Sequence, residues 1–206
     1  MAEWAAVDEG ADTGTPNAAS ADAASGFDAP ALAAAVDGRL LHAGTGLVAG
    51  GAVDSRLAAR GSAFFALAGE RTDGHRFLED VVAAGAAALV VSQPLEPERL
   101  ARLTADGSVT VVAVEDAAVA LRAAGAAWRG RFDPLVVGVT GSLAKTSTKE
   151  QIAEVTAQRY RTLKNDANQN NEIGLPLTLL RLRAEHEVAV LEMGLYVLGD
   201  IAQLAE

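Results

Sequence analysis

Residues 136–150 read VVGVTGSLAKTSTKE, and the change of pattern inside this stretch decides the fold class. Leu135–Thr140 is a short apolar, β-branched run, the signature of a strand buried on both faces. A tight turn follows at Gly141–Ala144, and a helix opens at Lys145 and runs to about Gln158. A strand feeding a helix through such a turn aims backbone N–H groups and the positive end of the helix dipole at one point, which suits a phosphate. A lysine there reaches the β- and γ-phosphates of a nucleotide, and the next hydroxyl ligates Mg²⁺. Lys145 and Thr146 are of the right type in the right order.

The fit to the general pattern G-x-x-x-x-G-K-[ST] is imperfect. Val139 and Ala144 stand where that pattern has glycine. If position 144 needs a positive φ, alanine costs about 1 kcal/mol there. The bland alternative is a plain strand-to-helix turn, with Thr148, Lys149 and Glu150 as a solvated first helical turn.

Outward from this stretch, the pattern is one of strands alternating with helices, which implies parallel sheet and an α/β architecture. On the N-terminal side, strands are expected at Ala63–Leu67, Leu89–Val91 and Val109–Val114. Helices are expected at Ala31–Val36, Arg76–Ala84 and Glu98–Leu103, and from a cap at Asp116 to about Trp128. On the C-terminal side, Tyr160–Leu163 and Glu187–Met193 read as strands, with helix at Pro176–Leu182 between them. After Met1, residues 1–26 contain Trp4 and Val7 as their only large apolar side chains and read as a disordered leader, with a weak helix near Ala18–Ala24 as the alternative. Arg129–Pro134 is polar and holds Gly130 and Pro134, so the domain boundary is placed there, giving units at 27–130 and 134–206.

Composition narrows the function classes. The net charge of −10 argues against binding to nucleic acid or anionic lipid, which needs basic surface. A cradle of backbone N–H groups can still hold a phosphate in an acidic protein. With no cysteine there is neither a disulfide framework nor a thiolate metal site. No stretch has the length of a membrane span and the first residues lack a signal-peptide pattern, so a cytoplasmic location is the expectation. His42 and His186 lie in no motif and are read as surface residues.

Four segments in one order resemble the Mur ligase family. TGSLAKTSTKE is similar to that family's loop T-G-[ST]-N-G-K-T-[ST], whose shorter spacing removes the objection at Val139 and leaves Leu143 and Ala144 as departures. Asp54-Ser55-Arg56 and then GSAFFALAGERTDGHRF (61–77) resemble the DSR and DGH signature of the family's N-terminal, UDP-sugar-binding domain. Asn170-Asn171-Glu172-Ile173-Gly174-Leu175-Pro176 and Leu191-Glu192-Met193-Gly194 resemble one branch, the enzymes that add D-alanyl-D-alanine to UDP-MurNAc-tripeptide.

The resemblance implies a Mur ligase N-terminal α/β domain followed by a truncated ATPase domain of the phosphate-loop type with a parallel sheet. It implies ATP and Mg²⁺ as cofactors, with UDP-MurNAc-peptide and D-alanyl-D-alanine as partners. Thr140, Gly141, Ser142, Ala144, Lys145, Thr146 and Ser147 would bind ATP. Lys145 and Glu192 would be catalytic, and Thr146 and Glu192 would hold the metal. Glu192 also has a physical argument, because it ends an apolar strand at the sheet edge from which the loop departs. Ser55, Arg56, Asp73, His75, Asn170 and Asn171 would face the substrate. Each has a plainer reading as well: a surface salt bridge for Arg56, a fold-shaping turn for Asp73 and His75, and an Asx turn for the two asparagines.

The implied chemistry is carboxylate activation through an acyl phosphate, followed by attack of the dipeptide amine. The chain is expected to be the incomplete front part of such an enzyme and not to ligate alone. Two other readings stand beside this one. One is a non-catalytic UDP-sugar-binding module with a degenerate loop, which Ala144 favours. The other is a Mur ligase that adds a single amino acid.

Overall fold

Asp28 starts the first helix: its carboxylate accepts from the Ala31 N–H at 2.8 Å, and Pro30 occupies the first turn, where a missing N–H costs nothing. The computed structural model describes residues 26–69, 72–166 and 169–194. The leader expected over 1–26 lies outside them except for Gly26, as do Glu70, Arg71 and everything after Gly194.

In chain order the first part contains α1 (Ala29–Ala35), β1 (Arg39–His42), β2 (Gly51–Ala52), β3 (Ala63–Ala66), α2 (Leu78–Ala83), β4 (Ala88–Val91), α3 (Pro97–Leu103), β5 (Thr110–Ala113) and α4 (Ala117–Arg129). Single 3₁₀ turns at Ser55–Leu57 and Gly74–Phe77 follow β2 and precede α2. The five strands form one sheet in the order β1-β5-β4-β3-β2. Strands β2 to β5 run parallel, whereas β1 pairs antiparallel with β5 at the edge. Parallel sheet was the sequence expectation, and Arg39–His42 adds an antiparallel edge strand that so short a run carries too little pattern to announce.

Side chains alternate across this sheet, so each strand serves two cores. Phe64, Leu89 and Val111 point toward Leu78 and Val81 of α2 and Leu103 of α3. Phe65, Val90 and Val112 point toward Leu32 of α1 and Leu121 and Trp128 of α4. That is why these runs are continuously apolar. The helix expected at Arg76–Ala84 begins as the 3₁₀ turn, because the Asp73 carboxylate accepts from the His75 N–H and fixes that turn first.

The second part contains β6 (Leu135–Val139), α5 (Lys145–Thr156), β7 (Thr162–Lys164), α6 (Gly174–Leu179) and β8 (Val188–Glu192). Its three strands are parallel, in the order β6-β8-β7. Here one expectation fails. The run Leu135–Thr140 was read as buried, yet Leu135 is 67% and Val136 40% exposed. Among the described residues the central strand is β8, buried along its whole length, while β6 is at the edge with a strand on one side only.

One apolar core joins the two sheets. It includes Phe27, Leu32, Phe65 and Trp128 from the first part and Leu163, Leu175, Leu182 and Leu191 from the second. Helices α4 and α6 touch closely: a Cβ at Gly125 would lie 2.9 Å from the Cα of Pro176, so only glycine allows this approach. Trp128 is fully buried and its indole N–H donates to the Leu182 carbonyl at 3.1 Å. Arg183 donates to the Ala49 carbonyl at 2.6 Å, tying the second part back to the loop before β2.

The two histidines read as surface residues are half-buried instead. The His186 Nδ1 accepts from the Arg183 N–H, and burial holds its pKa below the usual value. His42 sits in β1 against β5. Among the described residues, no helix is long and apolar enough to cross a membrane.

Candidate functional site

The strand-to-helix loop has the geometry that its glycine spacing implied. Gly141 has φ 139° and Ala144 has φ 59°, so the position before the lysine is left-handed and is filled by alanine. Left-handed backbone brings Cβ too near the following carbonyl oxygen. Ala144→Gly is therefore expected to raise stability by about 1 kcal/mol, after allowing for the greater freedom of glycine in the unfolded chain. Thermal denaturation of both proteins measures this, and an unchanged or lower melting point would show that the loop relaxes around alanine.

The Lys145 ammonium folds back and donates to the Gly141 carbonyl at 2.7 Å, spanning the loop. Thr140, Ser142, Ala144, Thr146 and Ser147 are exposed around it. Leu143, at the apex, is 86% exposed.

Parallel pairing of β6 with β8 sets Val139 beside Glu192, and the Met193 N–H donates to the Val139 carbonyl. The loop and Glu192 thus leave one sheet edge at the same level. Glu192 is only 1% exposed. Its Oε1 accepts from the Asn170 amide at 2.8 Å, while its buried Oε2 has no hydrogen-bond partner, and neither does Asn170 Oδ1. Asn165 clamps the main chain of residue 192: its amide donates to the Glu192 carbonyl at 3.0 Å and its Oδ1 accepts from the Glu192 N–H at 2.9 Å.

Sequence reasoning missed two members of this cluster, Asn165 and Lys149. Lys149, placed in a solvated helical turn only under the plainer reading of the loop, is fully buried. Its ammonium donates to the Asn165 carbonyl at 2.8 Å and lies 3.1 Å from Glu150 Oε1 and 3.8 Å from Glu192 Oε2. Lys164 pairs with the other oxygen of Glu150, and the two lysines, Lys164 foremost, hold the Glu150 carboxyl below its usual pKa. The available signal was periodicity: Lys149 is one turn before the buried Ala153, on the inward face of α5.

The remaining candidates fall around two clefts. One, of about 470 Å³, is lined by Asp54, Ser55 and Arg56 after β2 and by Leu67, Gly69 and Gly74 after β3. Arg56 is well exposed and forms a two-pronged pair with Asp54, through Nε at 2.9 Å and Nη2 at 2.5 Å. The guanidinium holds the Asp54 carboxyl down at about 2.

Asp73 and His75 brace this region. The Asp73 carboxylate accepts from the His75 N–H, contacts the His75 Nδ1 at 2.7 Å and accepts from the Gln93 amide. The first two of these contacts, the backbone one foremost, hold it at about 2. His75 Nε2 accepts from the N–H groups of Ser92 and Gln93, which can only donate, so the ring proton sits on Nδ1. Both ring nitrogens are thus engaged within the chain.

The second cleft, also about 470 Å³, lies between the two sheets and is lined by Val53, Asp54, Gln169, Asn171, Gly174 and Arg181. Asn171 Oδ1 accepts from the N–H groups of Ile173 and Gly174, so this asparagine forms the Asx turn that starts α6. Asn170, by contrast, turns inward to Glu192.

A phosphate-type loop level with a buried carboxylate, beside an α/β domain bearing its own cleft, defines a class, and sequence comparison names it. The Mur ligase family catalytic domain matches residues 48–164 and the Mur ligase middle domain matches 139–206. The chain belongs to the Mur ligase family. Within the family it resembles the D-alanyl-D-alanine-adding enzymes, MurF. The UDP-N-acetylmuramoyl-tripeptide–D-alanyl-D-alanine ligase of Synechocystis sp. is 43% identical over 153 residues, 74% of this chain and 32% of that protein.

Solved structures agree. The UDP-N-acetylmuramoylalanyl-D-glutamyl-2,6-diaminopimelate–D-alanyl-D-alanyl ligase of Acinetobacter baumannii superposes with a TM-score of 0.73 at 34% identity, covering 87% of this chain and 39% of that one. MurF of Thermotoga maritima in complex with ADP gives 0.63 at 32% identity, covering 76% and 34%. The chain therefore spans about a third of the length of the curated relatives it matches.

Proposed function

We propose that this chain carries the phosphate-binding loop and the UDP-sugar-facing domain of an ATP-dependent ligase that joins D-alanyl-D-alanine to UDP-MurNAc-tripeptide. The observation that carries this reading is the register that sets Val139 beside Glu192, with one buried carboxylate oxygen left open. Ligands of open α/β sheets bind along this carboxyl edge. The backbone N–H groups of 141–147 would receive the nucleotide phosphates, and Lys145 would exchange the Gly141 carbonyl for a phosphate oxygen.

Thr146 and Glu192 offer hard oxygens, and Glu192 Oε2, which makes no hydrogen bond and lies 3.8 Å from the Lys149 ammonium, fits a divalent cation that takes the rest of its shell from water and phosphate. Bound there, Mg²⁺ would neutralise charge on the transferring phosphoryl group. Asn170 would orient Glu192 rather than meet the sugar, and Asp73 with His75 would support the first cleft from behind. Ser55 and Arg56 are the groups available to the UDP portion in that cleft, with Asn171 and Asp54 on the wall of the second. The chemistry proposed is transfer of the γ-phosphoryl group to the tripeptide carboxylate, then displacement of phosphate by the dipeptide amine.

Calorimetric titration with ADP and Mg²⁺ tests the reading. Lys145→Ala is expected to weaken binding at least about tenfold, since a hydrogen bond to a charged group is worth roughly 1.5–3 kcal/mol. Ala144 in a left-handed conformation is the observation on the side of the non-catalytic module. Binding of UDP-MurNAc-tripeptide with no binding of nucleotide would decide for that module instead.

A further inference from the structure

Lys149 is the buried charge that the proposed chemistry does not use. It lies one helical turn beyond Lys145 on α5, and the two lysines point to different tasks. Lys145 reaches the loop, whereas Lys149 is wholly buried and reaches across to β7 and β8. Around its ammonium stand the Asn165 carbonyl at 2.8 Å, Glu150 Oε1 at 3.1 Å and Glu192 Oε2 at 3.8 Å. The oxygen of Glu192 that no hydrogen bond restrains is thus the one that Lys149 faces.

We propose that Lys149 is a positioning residue: it ties the phosphate-loop helix to the end of β8 and fixes the open oxygen of Glu192 relative to the loop. Three supports then act on one residue, two from the connection between β7 and α6 and one from α5. Asn165 holds its main chain, Asn170 holds Oε1, and Lys149 faces Oε2 without occupying it in a hydrogen bond. Removing one partner of a buried ion pair is far more damaging than removing both, because the survivor is left uncompensated. The assignment rests on the proposed ligase reading only for its consequence, which is that the metal-linked part of nucleotide affinity depends on Lys149.

The test measures ADP affinity with and without millimolar Mg²⁺ for the unchanged chain, for Lys149→Met and for Lys149→Met/Glu192→Gln, with thermal melting of each. The unchanged chain is expected to bind ADP more tightly with Mg²⁺. In Lys149→Met that gain falls by about tenfold or more, the usual loss when a metal ligand's supporting partner is removed. The double variant melts above Lys149→Met. A full Mg²⁺ gain in a folded Lys149→Met would overturn the proposal.

If Lys149→Met does not fold, the double variant decides. Recovery of a cooperative transition supports the coupling, and no recovery overturns it. Absence of ADP binding by the unchanged chain would sink the ligase reading instead, and the melting comparison would still judge Lys149.

Discussion

Trp128→Ala is expected to lower stability by about 3–5 kcal/mol, the range for truncating a buried large aromatic side chain. Trp128 has no exposed surface. Its ring meets Phe27 at 5.1 Å and Phe132 at 5.6 Å, both edge-on, and the guanidinium of Arg131 lies 4.8 Å from its centre. The indole N–H donates to the Leu182 carbonyl, which also accepts from the Arg183 guanidinium at 2.6 Å, so truncation removes one of the two donors to this carbonyl. The loss falls at the seam between the sheets, where α4 packs on α6 through Gly125. Urea denaturation followed by circular dichroism measures it. A change below about 1 kcal/mol would mean that the seam repacks around the hole, since such costs depend on how well a site collapses.

Asn165→Ala comes next in size, at about 3 kcal/mol or more. The side chain is fully buried and makes three hydrogen bonds to main-chain groups: to the carbonyls of Gln169 and Glu192, and from the N–H of Glu192. Each buried group left unpaired costs roughly 1–3 kcal/mol. No apolar side chain restores these partners, so Asn165→Leu should fare no better despite filling the space. Denaturant titration reads the total, and hydrogen exchange at the Glu192 amide reads the local part. Slow exchange at that amide in Asn165→Ala would contradict the assignment of Asn165 as its clamp.

Much of the frame was legible in the residues because it rests on local chemistry. Asp116 was expected to cap a helix, and its carboxylate accepts from the N–H groups of Ala118 and Val119. The helix expected to end at Ala84 is followed by Gly85, which takes φ 93°. The doubt raised over Ala144 proved a matter of backbone geometry that spacing alone could pose.

What was not legible depends on partners far away in the chain. An apolar run such as Leu135–Thr140 declares that it is a strand but not how many neighbours it has. Lys149 looked solvated because charged residues are rarely fully buried, and only the packing of α5 on β7 and β8 places it inside. Trp128 read as the end of a helix, since its acceptor is Leu182, 54 residues on. Asn165 carried no motif at all.

The parallel pairing of Val139 with Glu192 has a consequence for how such a site can be tuned over time. A strand cannot creep past its neighbour. A slip of one residue would turn Glu192 to the opposite side of the sheet, so the smallest shift that keeps its facing is two residues, about 6.6 Å at about 3.3 Å each. The spacing between loop and carboxylate is therefore quantised by the backbone. Fine adjustment is left to the length of the acidic side chain and to the groups that lean on it.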